Sequence, residues 1–250
     1  MNKSISRIIV LANRNLKEIM RDPLSLVFTF AMPLLLEVLF YLIFHQLTPQ
    51  FEMKYLAPGI VVFAQSFVSL FTGLLIATDR NSSFLTRLYV SKAKPYEFII
   101  SYGLAVVPII IAQSILFFLI GGIIDSSIFC LGMLWGVLLS LLTSFLFISF
   151  GILFGSLCNE KSIGGVASIV IVGQSVLSGM WFPTEGLDAG MMTFMKCLPF
   201  KNATDLLTNS LNGISNSFSE FWLPLIIVLA YTVVSFVISV MVFKCKMKNV

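Results

Sequence analysis

Few residues in this sequence can do chemistry. Glu37 stands inside an otherwise apolar run, 24–44, one helical turn beyond Pro33. A charged side chain in the middle of a bilayer costs roughly 2.5–3.5 kcal/mol on insertion scales, so it is paired, neutral or turned toward a polar cavity. Pro33 lacks the N–H that would continue the helical ladder and frees a backbone carbonyl nearby. Glu37 is therefore a candidate pathway-lining or substrate-sensing carboxylate. The competing reading is a protonated side chain hydrogen-bonded inside a helix bundle.

Other chemistry is excluded by type and spacing. Gly155 to Ser162 reads GSLCNEKS, close to the phosphate-cradling G-x-x-x-x-G-K-S pattern. Glu160 occupies the second glycine position, where a carboxylate repels phosphate, and an apolar helix rather than a strand precedes the segment. Cys130, Cys158, Cys197 and Cys245 have no CxxC spacing, and His45 is the single histidine. Neither a zinc site nor a disulfide framework is suggested. His45, Glu52 and Asp125 could meet only at one surface, with no Ser/His/Asp or paired-carboxylate logic. The sequence predicts no catalytic, cofactor-binding or metal-binding residues.

A different kind of site is legible in 79–97. Phe84, Leu85 and Leu88 form an apolar ridge at helical spacing, flanked by Arg80 and Arg87. Pro95 and Glu97 suit the first turn of the helix that follows, by fixed φ and by charge against the helix dipole. Such a ridge is either a docking surface for another protein or a second interfacial helix anchored in lipid.

The elements that position these residues follow from composition. Hydrophobic residues make up 58% of the 250, charged residues only 11%, and Phe alone occurs 24 times. A soluble domain carries about a quarter charged residues, so soluble, disordered and nucleic-acid-binding readings are excluded. The chain is expected to be an all-α integral membrane protein forming a single domain, 1–250. About 20 apolar residues cross the hydrocarbon, and six stretches qualify: 24–44, 58–78, 98–124, 129–157, 163–182 and 223–243. Strands of a membrane barrel would alternate in ten-residue segments, and none do. The first 22 residues mix charge with apolar positions and do not read as a cleavable signal.

Orientation comes from Lys and Arg. All but three of the 16 fall on one side: Lys3, Arg7, Arg14, Lys17 and Arg21; Arg80, Arg87, Lys92 and Lys94; Lys161; Lys244, Lys246 and Lys248. Lys54, Lys196 and Lys201 fall on the other. Both termini are expected to be cytoplasmic. On a helical wheel, Ile5, Ile8, Ile9, Ala12, Leu16, Ile19 and Met20 share one third of the circle in 1–22, opposite Lys3, Arg7, Arg14, Lys17, Glu18 and Arg21. That pattern fits a helix lying flat in the interface, with cations against anionic lipid; a soluble helix packed on another domain is the alternative. Asp22-Pro23 ends it. In 183–222, Leu187, Met191, Phe194, Met195 and Leu198 form one stripe. Ala203, Leu207 and Leu211 form a second, ending at Asn212-Gly213 as an αL cap. Two short external helices, dipping into or lying on the outer leaflet, are predicted. Span four carries Gly132-x-x-x-Gly136 and Gly151-x-x-x-Gly155, and span five Gly164, Ser168, Ser175 and Gly179, spacings that let helices approach closely in lipid.

The ordering of these parts resembles the permease subunit of a type-2 ATP-binding-cassette exporter, over essentially the whole chain. The resemblance rests on Arg21-Asp22-Pro23 before a span containing Pro33, on Arg80, Phe84-Leu85, Arg87-Leu88, Ser91 and Pro95, and on Phe182-Pro183 followed by Leu198-Pro199. The chain departs from the family's usual loop pattern at Asn81-Ser82-Ser83, and Leu198 stands where an Asn commonly precedes the late proline. The resemblance implies a homo- or heterodimer of permeases in a bacterial plasma membrane, with two cytoplasmic ATPase subunits that hold ATP and Mg. Carried over, Phe84, Leu85 and Leu88 would enter a groove on the ATPase, with Arg80 and Arg87 at its rim. Glu160, in the turn Asn159-Glu160-Lys161, would touch it secondarily, and the N-terminal helix would support the contact. A dimer formed through spans one and five would put Glu37 near the pathway. The expected cargo is an amphipathic drug or peptide, or a lipid-linked molecule, moved outward. An ATPase-independent secondary transporter or channel, and a non-transporting membrane immunity protein, are the alternatives.

Overall fold

The computed structural model describes residues 3–82, 94–182, 186–213 and 218–247, and every regular element among them is helical. Helix α1 (Lys3–Arg21) ends where Asp22 takes an extended conformation. Asp22 then caps the next helix, accepting from Leu24 N at 3.1 Å and from Ser25 Oγ, and Pro23 fills the first helical position, which needs no N–H. Helix α2 (Pro23–Phe44) contains a π-helical turn, Val27–Ala31, directly before Pro33; there Met32 N–H bonds to Val27 O. The widened turn absorbs the hydrogen bond that proline cannot make.

A 3₁₀ turn, Pro49–Phe51, leads into α3 (Met53–Asn81). Helix α4 (Pro95–Ile124) and α5 (Leu131–Leu157) form a tight hairpin across the 3₁₀ turn Ser126–Ile128. Then come α6 (Glu160–Leu177), α7 (Ala189–Cys197), α8 (Pro199–Leu211), and a π-helical turn, Phe218–Trp222, opening α9 (Leu223–Met247). Five of these, α2 to α5 and α9 with its leading turn, are long and apolar enough to cross a membrane. The stretch predicted at 163–182 is shifted to α6. That helix has only 18 residues, begins with Glu160 and Lys161, and ends at Ser178, after which Gly179 turns the chain at φ +70°. By length and composition it does not join the other five.

Burial is uneven. Of the most apolar window of α3, 89% is buried, against 17% for α2 and 17% for the last span. Helix α3 is the axis of the molecule, packed by α2, α4, α5, α6 and α8. Its approach to α5 is set by glycine. A methyl group on Gly151 would lie 2.7 Å from Ser69 O, and one on Gly155 2.6 Å from Gly73 O, so the two backbones touch where any side chain would part them. Gly132 packs on the backbone of Ser210 and Gly136 on Phe118. Both small-residue motifs of span four are thus spent inside the chain. On α6 the opposite holds: among the described residues, nothing lies within 4 Å of where a Cβ would stand on Gly164, Gly165 or Gly173.

The core is apolar with a polar thread. Gln65 Nε2 donates to Ser140 O at 2.9 Å, and Thr143 Oγ1 donates to Gln65 Oε1 at 2.9 Å. Ser140 Oγ reaches Ser114 Oγ at 2.9 Å, and Ser239 Oγ donates to Ser149 O at 2.8 Å. These bonds join α3, α4, α5 and α9 where water is absent and each unmade bond is costly. On α8, Ala203, Leu207 and Leu211 are buried as the stripe predicts, and Gly213 takes φ +94° after the last turn. On α7 only Met195 is buried, whereas Phe194 is half exposed.

Close packing makes a contrast that thermal unfolding in detergent can read. Gly155→Ala forces a backbone shift and is expected to destabilise by about 1–3 kcal/mol. Gly165→Ala, in open space, gains helix propensity and is expected to be neutral or mildly stabilising.

Candidate functional site: a charged clasp around the 79–97 segment

Both termini-proximal helices and the ends of the 79–97 segment meet at one end of the bundle. Helix α1 lies along the start of α4, burying Ala12 and Ile19, with Ile19 in one cluster with Phe98, Ile99, Tyr102 and Phe243. Ile5, Ile9 and Met20, from the same predicted apolar arc, stay about half exposed. The arc is therefore divided between protein contact and an open edge.

This packing turns Arg14 inward. Its guanidinium grips Asp79, the third-last residue of α3, with Nη1 to Oδ2 at 2.6 Å and Nη2 to Oδ1 at 2.9 Å. Tyr102 of α4 donates to Asp79 Oδ2 at 2.7 Å, and Arg14 Nη1 also donates to Asn15 Oδ1 at 3.0 Å. Asp79 is 2% exposed, and these donors satisfy both of its carboxylate oxygens. Burial pulls the Arg14 pKa down, but the hydrogen bonds and attraction from Asp79 outweigh it and raise it above the ordinary arginine value. A two-point fork on a carboxylate is the geometry arginine alone supplies.

The far flank of the segment is tied to the same helix. Glu97, fully buried, accepts from Lys94 N at 3.2 Å and from Ser4 Oγ, with Arg7 Nη2 at 3.6 Å. The near flank is also tied to α5: Arg80 Nη1 donates to Gly155 O at 2.9 Å and Ser156 O at 2.5 Å, and reaches Cys158 O at 3.4 Å. A cation on the last carbonyls of α5 satisfies orphan acceptors and meets the negative end of its dipole. Asn81 Nδ2 reaches Glu160 Oε2 at 3.4 Å, linking α3 to the first turn of α6.

Of the residues singled out in the sequence, the structure gathers Arg7, Arg14, Arg80 and Glu160 around this segment. Lys17 and Arg21 are exposed on α1. Phe84, Leu85, Arg87 and Leu88 lie outside the described residues. Glu37 is elsewhere, fully buried between α2, α3 and α4, with Oε1 close to Gly121 and Ala57 nearby. Neither oxygen has a hydrogen-bond partner among the described residues. Sequence reasoning missed Asp79 and Tyr102. The available signal was the spacing Ser69, Thr72, Ile76, Asp79, which continues the buried face of α3 and places a carboxylate on it.

No group of three or more His, Cys, Asp and Glu able to hold a metal occurs among the described residues. Helical spans long and apolar enough to cross a bilayer, joined by a polar thread, define a membrane-embedded protein. More narrowly, the chain belongs to the ABC-2 type transporter family, whose pattern it matches over residues 6–212. It is accordingly a transmembrane subunit of an ABC-type transporter, in a family whose membrane component lacks the ATPase domain. No curated protein matches the chain.

The clasp carries its own test. In a double-mutant cycle, Arg14→Ala and Asp79→Ala are expected to show a coupling energy of about 1–3 kcal/mol in detergent unfolding. Tyr102→Phe, which removes one bond to the same carboxylate, is expected to cost about 1 kcal/mol. Additive single effects would mean that the pair contributes nothing.

Proposed function

We propose that this chain is the membrane-crossing subunit of an ATP-driven exporter that moves an amphipathic drug or peptide, or a lipid-linked molecule, outward. In this reading α6 supplies a sixth crossing, and the basic end with both termini faces the cytoplasm of a bacterial cell. Helix α1 lies in the lipid interface, and α7 with α8 lie on the outer side. A separate ATP-binding-cassette ATPase, carrying ATP and Mg, docks on 79–97 through Phe84, Leu85 and Leu88, with Arg87 at the rim and Glu160 in secondary contact.

The observation that carries this reading is the double tie on the segment. Asp79 and Glu97, its two flanks, are both held by α1, and Arg80 by the end of α5. With its flanks tied in this way, a push that reaches Asp79, Arg80 or Glu97 is delivered to α1, α3, α4 and α5 together. That is the mechanical requirement for converting closure of an attached ATPase into a change between discrete packed states. A second permease, identical or not, covers the open glycine face of α6 and the exposed flank of α2. Separation of α2 from α3 and α4 in one state would bring Glu37 to the pathway.

Phe84→Asp with Leu88→Asp puts charge on the docking ridge. Wild type is expected to co-purify an ATPase in mild detergent and to stimulate its turnover, and the variant to lose both while keeping its thermal midpoint. Absence of any associated ATPase under several gentle conditions would move the reading to a secondary transporter. Glu37→Gln is expected to leave the thermal midpoint unchanged or raised, since the amide avoids an unpaired charge in hydrocarbon; a loss of about 3 kcal/mol or more would mean a buried partner for the carboxylate.

A further inference from the structure

At the end of the bundle opposite the clasp, a cavity of about 510 Å³ opens between the α2–α3 connection, the end of α6 and one face of α8. That is within the size range of ligand sites, roughly 300–1,000 Å³. Its polar wall is α8: Lys201 Nζ pairs with Asp205 Oδ1 at 3.0 Å one helical turn apart, and Thr208 and Asn209 continue the same face. Tyr55 and Gln50 close the other side. Asn209 Nδ2 is committed to Glu220 O at 2.6 Å and Gln50 Nε2 to Gly179 O. Asp205 Oδ2, Asn209 Oδ1 and the hydroxyls of Tyr55 and Thr208 bond to nothing among the described residues. Next to it, Trp181 packs on Phe40 in a tilted contact at 4.6 Å and edge-on to Phe63 at 5.7 Å, the aromatic composition found where spans meet the headgroup layer.

We propose that this cavity is a headgroup site, which takes a zwitterion made of a phosphate and an ammonium joined by a short carbon link. Lys201 receives the phosphate and Asp205 the ammonium, with Asn209 Oδ1 as a second acceptor for the ammonium, while the Thr208 and Tyr55 hydroxyls donate to the ester oxygens. A simple anion would face Asp205, and a simple cation Lys201, leaving one wall charge unpaired; a zwitterion in one orientation satisfies both. The resident Lys201–Asp205 pair is an i,i+4 helix pair, a weak interaction that a ligand with both charges can replace without loss. The proposal needs only a membrane-spanning chain, and so stands apart from the exporter reading. The same chemistry is offered by a phospholipid of the outer leaflet and by a transported amphiphile.

The test is titration of the purified full-length protein, without any ATPase, with short-chain phosphatidylethanolamine and short-chain phosphatidylglycerol, read by native mass spectrometry. Wild type is expected to prefer the ethanolamine lipid by about tenfold, and Lys201→Gln or Asp205→Asn to lose that preference. Should either variant fail to fold, Tyr55→Phe with Thr208→Val keeps the ion pair and is expected to weaken ethanolamine-lipid binding by severalfold. Equal binding of both lipids by wild type, or unchanged binding in folded variants, would overturn the site. With binding established, stimulation of an ATPase-loaded complex by the same probe identifies a cargo station, and binding without stimulation a resident lipid. Both outcomes uphold the headgroup site, whereas a complex that cannot be assembled bears on the exporter reading alone.

Discussion

Backbone contact between α3 and α5 is the constraint on which the rest of the molecule depends. Lipid tails are as apolar as leucine, so helices in hydrocarbon gain nothing from hiding side chains from water; they hold by close packing and hydrogen bonds. Gly151 and Gly155 bring α5 against Ser69 and Gly73 of α3, and only at that separation can Gln65 reach across to Ser140 and Thr143. Once α3 and α5 are joined, α4 is fixed by the hairpin turn and by Ser114. Helix α8 is fixed by Gly132 and Gly136, which leave room for it against the start of α5. The buried axis is thus a consequence of four glycines placed two by two along α5.

The same packing sorts the remaining helices by how tightly they are held. Helices α2 and α9 expose most of their apolar surface, and α6 turns its glycines away from the chain. Exposed apolar residues need no explanation where lipid is the solvent, so α9 requires no partner. A glycine face is different, because glycine weakens a helix and is retained where something approaches closely. Among the described residues, nothing approaches Gly164, Gly165 or Gly173. The two exposed faces therefore differ in kind: that of α9 is made of apolar side chains, and that of α6 includes glycines with open space beside them.

Much of this was legible in the sequence. Apolar runs predict all five of the observed span helices to within five residues at each end, because only length and hydropathy decide them. The proline and αL glycine that bound α8 are visible for the same reason: local backbone chemistry is written locally. Helix α6 was overreached, since its apolar pattern runs on to Phe182 while Gly179 turns the backbone away. On α1 the helical wheel separates apolar from charged residues correctly, yet it cannot say that part of the apolar arc meets α4 rather than lipid. Arg14 is accordingly read as a cation on the polar side, when its position just off the buried stripe lets it reach Asp79. That pairing joins residues 65 positions apart, and no local pattern encodes a tertiary partner.

Asp79 also explains why the basic end can be both rigid and responsive. A carboxylate held by a two-point arginine fork and a tyrosine hydroxyl has a narrow range of geometries, and each donor comes from a different helix. Shifting α3 along its axis by even one hydrogen-bond length requires Arg14 or Tyr102 to follow, or leaves a buried charge uncompensated, which is far more costly than the pair itself is stabilising. Elements linked in this way move together or remain in place; they do not deform gradually. Glu97 extends the same rule to the other side of 79–97, where Ser4 and Arg7 again come from α1. One amphipathic helix therefore holds both flanks of the 79–97 segment. Displacement of Asp79 or Glu97 moves α1 with it or breaks the ion pairs that hold them.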